Sequence, residues 1–316
     1  MYHRLFQPQD FERCIPLLPQ ALEMSAKVRA ALPSLWRRLQ GAGQLHGGVV
    51  ADAPEADRIL SFGMFVFLEE DFVTDLLRSP APYLSSRVYD RILSRRSPVL
   101  SARAIAAANA GDGLNLAILH FGIARTVSAE EERTIALTAQ TGFRLCSMGY
   151  RVSRVLQEAY GVAELPFFVA GGFLVKSDYE AFYARDPRRR PDPERQPRLM
   201  GLFRTDRESR FPGNALSDLF QPLPEPRIKF SPGEQRVLLY AVMDESDEII
   251  AKRLAVSSDA VKKTWRRIHQ RVVLRAPRIV DEAVDMRTVR GKERRRRLLQ
   301  YLRYHPEELR PFVTGR

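Results

Sequence analysis

Hydrophobic positions recur along the first 180 residues with two different spacings, and this alternation indicates a mixed α/β domain. Residues 20–39 carry apolar side chains at helical spacing, interrupted at Pro33. Residues 45–51 and 58–68 are instead rich in β-forming residues. The second of these segments, RILSFGMFVFL, is almost continuously apolar, which predicts a central strand that is buried on both faces.

The same alternation continues towards residue 180. Ser128 precedes Glu130, Glu131 and Glu132, a composition typical of a capped helix N-terminus, and the pattern predicts a long helix from there to Tyr160. The other elements are predicted as helices over 82–93 and 101–109, a strand over 114–121 and a final strand over 167–176.

The composition changes after residue 185, where DPRRRPDPERQP and QPLPEP concentrate proline and charge. Such segments favour extended, unpacked chain. We therefore predict three parts: a mixed α/β domain over 1–185, a Pro/Arg-rich linker over 186–226 and a helical domain over 227–316. The linker is expected to hold short ordered inserts around 199–203 and 216–220.

Three helical patterns follow one another in the predicted C-terminal domain. The first begins with Ser231, Pro232 and Glu234, which supply an N-cap, a proline in the first turn and an early carboxylate. A second helix of about two turns follows an acidic turn. Its apolar positions are Ile250, Ala251 and Leu254.

The third helix is predicted to start at Ser257 or Ser258 and to run to about Arg271. Its apolar positions form one continuous face made of Val261, Trp265, Ile268 and Val272. Its polar side carries Lys262, Lys263, Arg266, Arg267, Gln270 and Arg271. Such a helix fits the DNA major groove, and the residues near its start, Lys262, Lys263 and Arg266, are expected to contact base edges.

The segment SPGEQRVLLYAVMDESDEIIAKRLAVSSDAVKKTWRRIHQRV resembles the LuxR/GerE-type helix-turn-helix. Ser231 and Glu234 match the start of the family pattern, whereas Ile249, Asp244 and Thr264 depart from it. The further matches are Ile250 and Ala251 with Leu254, and Ala260, Val261 and Lys262 with Ile268. The resemblance covers about 43 of 316 residues and leaves the rest of the chain unassigned.

This resemblance implies a bacterial-type transcriptional regulator that binds double-stranded DNA as a homodimer. The fold class expected from it is an α/β (α+β) N-terminal domain plus an all-α helix-turn-helix C-terminal domain. The residues assigned to DNA contact are Ser258, Lys262, Lys263, Arg266, Arg267, Gln270 and Arg271. The basic tail with Arg294 to Arg297 is open to two interpretations, added phosphate contacts or a docking helix.

The distribution of charge agrees with a polyanion-binding C-terminal part. The chain carries a net charge of +12, of which residues 227–316, with 22 Lys or Arg and 12 Asp or Glu, contribute +10. Residues 1–226, with 28 against 26, contribute only +2. Positive charge on one part of a chain is typical of nucleic-acid binding.

Other compositional features exclude several classes of protein. Cys14 and Cys146 lie far apart, so neither a disulfide framework nor a zinc site is expected. The longest apolar stretch, 59–68, is half of what spans a bilayer, and the N-terminus lacks the apolar run of a signal peptide. We therefore expect a cytoplasmic protein without a membrane partner, a metal or a cofactor.

The first 226 residues show no evident catalytic constellation, because His3, His46 and His120 are isolated in the sequence. The stretch from Arg38 through Gly41 to Gly43 matches the acyl-CoA pyrophosphate loop of GNAT acetyltransferases. That loop needs a strand before it and a helix after it, whereas here the predicted order is reversed. We therefore interpret the match as accidental.

Three functions remain as hypotheses. The leading one is a regulator, not an enzyme, whose N-terminal domain senses a small-molecule signal. The second is an acyl-CoA-using, GNAT-like transferase with a DNA-targeting appendage, because the order of elements over 45–180 is similar to GNAT-like or PAS/GAF-like sheets. The third is an adaptor whose basic module binds RNA polymerase or RNA.

Overall fold

Two compact units make up the computed structural model, which describes residues 1–53, 58–125, 127–206, 216–281 and 291–313. The first unit comprises Met1–Ser147 and Arg151–Gln221, and the second comprises Met148–Tyr150 and Pro222–Arg316. The first unit thus continues well past residue 185, where the sequence pattern placed the start of a linker.

The first unit is built on a mixed sheet that has seven strands within the described ranges, in the order β1-β2-β3-β4-β5-β7-β6. The central pair, β4 and β5, is parallel, and all other neighbours are antiparallel. The strands are β1 Tyr2–Leu5, β2 Leu45–Ala51, β3 Ile59–Leu68, β4 Leu114–Ile123, β5 Val152–Tyr160, β6 Leu174–Ser177 and β7 Pro197–Phe203.

Helices pack on both faces of this sheet. On one face, alternate β3 residues such as Phe62, Met64 and Val66 pack into the main core, to which the first four helices contribute. On the other face, Ile135 packs against Val50. The helices of this unit are α1 Asp10–Cys14, α2 Ala26–Gly41, α3 Glu70–Arg78, α4 Leu84–Leu93, α5 Ala102–Ala110, α6 Ala129–Ser147, α7 Leu165–Ala170 and α8 Glu180–Tyr183.

Local side-chain chemistry explains where several helices begin. Ser25 caps α2 through a hydrogen bond from the Val28 backbone N–H, and Ser101 caps α5 in the same way. Ser128 accepts the Glu131 backbone N–H at the start of α6, while the Glu131 carboxylate accepts the Ser128 N–H. The predicted cap at Ser128 therefore lies where the helix begins.

The predicted helix to Tyr160 is wrong, because α6 ends at Ser147 and residues 152–160 form β5. Gly149 adopts φ +86, in the left-handed region that favours glycine, and it separates the two elements. The predicted strand over 167–176 is divided between α7 and β6. Residues 197–203, expected as an insert in a linker, form β7, which hydrogen-bonds to both β5 and β6.

The second unit contains helices α9 to α13 in its described residues. Ser231 and Glu234 form a reciprocal capping box at the start of α9, and Ser246 and Ser257 cap α10 and α11. Val261, Trp265 and Ile268 pack into the core of this unit. The bounds are α9 Pro232–Val242, α10 Asp247–Leu254, α11 Ser258–Arg275, α12 Arg278–Asp281 and α13 Gly291–Tyr304.

The C-terminal tail is part of the second unit. Glu308 is fully buried, and its carboxylate accepts backbone N–H groups from Arg227, Ile228 and Lys229 at 2.8 to 3.3 Å. Arg295 of α13 lies over the Trp265 ring at 4.2 Å and donates to Asp247. The tail, for which the sequence left two roles open, therefore has a structural role within its own unit.

The fold class expected from the sequence is wrong. It centred on a helix-turn-helix domain at the C-terminus, whereas the element that defines this chain is a seven-stranded mixed sheet, counted over the described residues, with helices on both faces. The error has a physical source, because β1 and β7 are short segments whose pairing partners lie far away in the sequence. Composition placed β7 in a linker, and tertiary pairing overrides such local signals.

Candidate active site

The parallel strands β4 and β5 separate before they end. Their pairing runs from Leu114 opposite Val152 to Ile118 opposite Gln157. Beyond these residues β4 continues beside β3 to Ile123, and β5 continues beside β7 to Tyr160. The two strands thus leave a wedge-shaped opening at their carboxyl ends, the usual place for ligands in sheets with parallel strands.

A β-bulge lies where the opening begins. Phe65 of β3 is opposite Ile118 of β4, whereas Met64 is opposite His120, so Leu119 is an extra residue in β4. A bulge of this kind bends its strand and increases the local twist. The pairing of β4 with β5 ends at the residue before the bulge.

A cavity of about 1130 Å³ occupies the opening and is lined from both faces of the sheet. Ala136 and Gln140 of α6 line it on one side, while His120 and Glu158 are among the residues that line it from the strands. Its rim includes two large exposed apolar side chains, Leu137 and Phe167. Its volume suits a ligand of substantial size, and its lining combines an apolar surface with polar side chains that can orient the ligand.

Glu158 is the polar group that stands out in this cavity. The residue is 7% exposed, and its carboxylate accepts hydrogen bonds from backbone N–H groups and from tyrosine hydroxyls. The Tyr179 hydroxyl donates to Oε1 at 2.6 Å, the Leu84 N–H donates to Oε2 at 2.7 Å, and the Tyr160 hydroxyl donates to Oε2 at 3.1 Å. These donors hold the carboxylate in one position.

Burial raises the pKa of Glu158 from its ordinary 4.5 to about 7, although its hydrogen-bond donors, which also include the Tyr83 backbone, act in the opposite direction. The desolvation of the charged form outweighs the hydrogen bonds that stabilise it. A carboxyl group with a pKa near 7 exchanges protons readily at neutral pH, a property of general acids and bases.

His120 lines the cavity and is the last member of a hydrogen-bonded chain of three buried side chains. Trp36 Nε1 donates to the Tyr89 hydroxyl oxygen at 2.9 Å, and that hydroxyl lies 2.8 Å from His120 Nε2. Burial lowers the pKa of His120 to about 3, so the imidazole is neutral at physiological pH.

The start of α6 lies beside the same cavity and carries carboxylates, while Arg125 and Arg133 also line the cavity nearby. Ala129 and Glu132 line the cavity, and Glu130 and Glu131 share the first turn. The Glu131 backbone N–H donates to the Ser128 hydroxyl within the helix cap. Anion binding at a helix start needs free N–H groups and a positive field, and this helix start supplies carboxylates.

The sequence analysis missed Glu158 and expected no catalytic residue in this part of the chain. The segment was predicted as the end of a helix, so Glu158 was not distinguished from surface charges. One signal was present in the sequence: VSRVLQEAY lies between Gly149 and Gly161 and contains the β-forming residues Val152, Val155 and Tyr160, which is typical of a strand. Of the three isolated histidines, His3 and His120 line the cavity, whereas His46 stacks on Phe65.

The stretch Arg38 to Gly43 lies at the end of α2, ahead of β2, and does not contribute to the cavity wall. Cys14 and Cys146 are buried and form no disulfide with one another. In the described part of the chain, no cluster of three or more His, Cys, Asp or Glu side chains could hold a metal ion. No helix among those residues is long and apolar enough to cross a membrane.

The residues that the sequence analysis assigned to DNA contact all lie on α11. Arg271 is half-buried and donates to Glu234 at 2.9 Å, and Arg267 donates to Thr264. The exposed members are Ser258, Lys262, Lys263, Arg266, Arg267 and Gln270. The structure thus brings these residues to one helix and places none of them in the wall of the cavity described above.

No protein-family model and no curated protein matches this sequence. The resemblance of 231–272 to the LuxR/GerE helix-turn-helix therefore stays a prediction, as does the homodimer inferred from it.

Several solved structures are similar to this chain, each over 64% of its length. A protein of the yellow fever mosquito named arylalkylamine N-acetyltransferase 7 is 13% identical, with 87% of that chain covered and a TM-score of 0.38. A polyamine N-acetyltransferase of Drosophila melanogaster is 14% identical, with 98% covered and a TM-score of 0.34. An N-acyl amino acid synthase from uncultured soil microbes is 8% identical, with 95% covered and a TM-score of 0.31.

These findings correct the leading functional hypothesis. The prediction of a DNA-binding transcriptional regulator that is not an enzyme is wrong, and so are its partners, double-stranded DNA, a sensed signal and RNA polymerase. The structures similar to this chain are named as acetyl- or acyl-transferring enzymes. The cavity with a carboxyl group of raised pKa lies in the first unit, to which the sequence analysis gave a sensor role.

Proposed function

We propose that this protein is an acyltransferase that moves an acyl group from a thioester to an amine in the opening between β4 and β5. The observation that carries the proposal is the carboxyl group of Glu158, which lies in the wall of an apolar cavity lined from both faces of the sheet. An opening through the sheet lets two substrates approach one another from opposite sides.

The proposed chemistry requires one proton acceptor, and Glu158 suits that role. The amine attacks the thioester carbonyl carbon in its neutral form, and its nitrogen must lose one proton as the amide forms. The Glu158 carboxylate, with a pKa of about 7, takes the proton from the amine. As this happens the carbon–nitrogen bond forms, the carbon–sulfur bond then breaks, and the protonated Glu158 passes its proton to the departing thiolate.

The walls of the cavity favour an elongated acyl donor. Apolar side chains dominate the lining, and the edge of β4 beyond Ile118 faces the opening instead of pairing with β5. An extended ligand with amide groups can hydrogen-bond to such a strand edge as an added strand would. A thioester carried on an amide-containing arm has this character.

Thiol release from acyl thioesters tests the proposal. Acetyl-, octanoyl- and palmitoyl-CoA are each offered with arylalkylamines, polyamines and amino acids, and the acylated amine is identified by mass spectrometry. The matching acyl-pantetheines, which lack the nucleotide phosphates, are offered in parallel because the start of α6 carries carboxylates. We expect amine-dependent thiol release with at least one pair of substrates.

Two variants make the test specific. Glu158→Gln removes the proton acceptor with little change in shape, and we expect amine-dependent turnover to fall by about 10²- to 10⁴-fold. Glu180→Gln makes the same chemical change at an exposed residue that pairs with Arg190, and it should leave turnover unchanged. Equal turnover by the wild type and Glu158→Gln would contradict the proposal, as would the absence of thiol release with every pair.

A further inference from the structure

The hydrogen bonds between Trp36, Tyr89 and His120 fix the position of one proton. The indole Nε1 of Trp36 is a donor only, so the Tyr89 oxygen accepts this bond. The single hydroxyl proton of Tyr89 is then available to His120 Nε2, 2.8 Å away. Nε2 therefore carries no proton, and the proton of the neutral imidazole is on Nδ1.

The surroundings of His120 maintain this neutral tautomer. The ring stacks on Tyr89 and meets the edge of Trp36, with centroid distances of 5.7 and 5.6 Å. Burial and the positive charge of Arg29 both lower the pKa of His120. The imidazole is therefore an uncharged donor whose orientation is set before any ligand binds.

His120 and Glu158 are held on the same side of the opening by one helix. His120 is hydrogen-bonded to Tyr89 of α4, and Glu158 accepts the N–H of Leu84, the first residue of α4. Five residues separate these two anchors, which corresponds to about 7.5 Å along a helix axis. Both side chains are therefore anchored to α4 at positions a little more than one helical turn apart.

His120 also lies beyond the point where β4 and β5 separate. It follows the bulge residue Leu119 and lines the cavity, as Glu158 does from the opposite strand. Among the described residues the hydrogen-bond partner of the ring is Tyr89, through Nε2. The Nδ1–H group is therefore left for a ligand.

We propose that the Nδ1–H group of His120 donates a hydrogen bond to the carbonyl oxygen of the bound acyl donor and stabilises the oxyanion that forms on it. This inference rests on the acyl transfer proposed above. When the amine nitrogen bonds to the carbonyl carbon, the carbonyl π electrons move to the oxygen and Glu158 takes the amine proton. His120 keeps its proton throughout, and the oxygen returns its electrons when the thiolate leaves.

A neutral donor suits this task better than a cationic one. A charged imidazolium would stabilise the ionised form of the neighbouring Glu158 and weaken it as a base. A preorganised donor aimed at developing charge needs no reorganisation during the reaction. The Trp36 and Tyr89 side chains are positioning residues in this scheme, because they act through His120.

Nuclear magnetic resonance tests the tautomer without any assay. In the full-length ¹⁵N-labelled protein we expect His120 to show a protonated Nδ1 and an unprotonated Nε2 from pH 5 to pH 8. The spectrum of His120→Asn, which lacks the signals, supplies the assignment. A protonated Nε2, or a cationic ring within this range, would overturn the inference.

Kinetics test the role of the donor. His120→Leu removes the Nδ1–H group, and we expect kcat to fall by about 10²- to 10³-fold with little change in KM. His120→Asn retains an N–H donor near the position of Nδ1 and should recover part of the loss. Tyr89→Phe keeps the shape of the core but removes the hydroxyl that fixes the His120 proton on Nδ1. We expect a loss of kcat between those of the other two variants.

The outcomes separate this inference from the function on which it rests. A wild type that transfers acyl groups, together with a His120→Leu variant within threefold of its kcat, overturns the role of His120 and leaves the proposed function standing. A wild type that is inactive with every donor and amine defeats the proposed function, and the role of His120 falls with it. The change of kcat with pH near pH 7 is expected to follow the ionisation of Glu158. Its midpoint should not move in the folded His120→Asn variant.

Discussion

Two buried carboxylates, Glu158 in the first unit and Glu308 in the second, have similar partners and different surroundings. Each accepts backbone N–H groups and a tyrosine hydroxyl, from Tyr179 in one case and Tyr301 in the other. Glu158 lies in the wall of a cavity, whereas Glu308 is fully enclosed by its own unit. With similar hydrogen-bond partners, Glu158 is placed where it could transfer a proton to a ligand, whereas Glu308 stabilises the second unit.

The comparison shows that the environment of a buried carboxylate decides what it contributes. Three backbone N–H groups and a hydroxyl surround Glu308, which links residues 227–229 to the C-terminal tail. Glu158 accepts hydrogen bonds from the backbone of Leu84 and Tyr83 and from two hydroxyls, and it borders space that a ligand can fill. Experiments on the two residues should therefore separate catalysis from stability.

The largest expected effect is on turnover. Glu158→Gln should lower kcat by about 10²- to 10⁴-fold, because the amine loses its proton acceptor. Glu308→Gln changes the same chemical group in the other unit and should not act on kcat at temperatures where the protein is folded. Initial rates of thiol release at saturating substrates provide the measurement. Comparable losses in the two variants would break the comparison.

The second effect is on the stability of the second unit. Glu308→Ala leaves the buried N–H group of Ile228 and the partly buried N–H groups of Arg227 and Lys229 without their acceptor, and it should lower the free energy of unfolding by about 2 to 4 kcal/mol. The chain has two tryptophans, Trp36 in the first unit and Trp265 in the second. Chemical denaturation followed by Trp265 fluorescence in a Trp36→Phe background reports on the second unit. A loss below about 1 kcal/mol would contradict the assigned role.

The third effect is a dependence of stability on pH. The pKa of Glu158 is about 7 in the folded protein and 4.5 ordinarily, so between these values the folded state binds more protons than the unfolded state. The contribution of Glu158 to stability therefore falls as pH rises from 4.5 to 7 and is level above that. Relative to the wild type, Glu158→Gln should gain about 3 kcal/mol over this range. Thermal denaturation of both proteins at pH 5 and pH 8 checks the sign, and a difference independent of pH would refute the assignment.

The smallest effects come from the matched tyrosines. Tyr179→Phe removes a donor that stabilises the ionised Glu158, so the pKa of that carboxyl should rise further and the midpoint of the change of kcat with pH should move to higher pH. Tyr301→Phe removes a bond of 3.2 Å to Glu308 and should cost about 1 kcal/mol of stability in the second unit. The pH dependence of kcat in the Tyr301 variant should match that of the wild type. If both variants shift the pH dependence of kcat, then Glu308 influences the ionisation of Glu158 and the two carboxylates are not independent.

Local patterns in the sequence predicted many elements of the first unit but not the sheet that joins them. The segments 45–51 and 58–68 form strands close to the predicted bounds, since runs of β-forming residues carry a strong local signal. The short strands β1 and β7 depend on partners that are distant in the sequence, and β7 lies among prolines and charges. Local composition does not encode such pairings.

The candidate site was harder to predict from the sequence than the fold was. Glu158 and His120 become neighbours of one cavity only because β4 and β5 run parallel and then separate. Neither residue belongs to a motif with fixed spacing, and the helix predicted to Tyr160 concealed the strand that carries Glu158. The basic helix α11 was conspicuous because charge and spacing are local properties, and this local signal led to the wrong function.

The extra residue Leu119 shows that the backbone of β4, and not the side chains of the wall, creates the opening. The opening begins at a change of backbone register in β4, which no single wall side chain controls. Exposed rim residues such as Leu137 and Phe167 can therefore be replaced to alter the acceptable acyl group without closing the passage. Deletion of one residue at the bulge would instead remove the passage itself, whatever side chains line it.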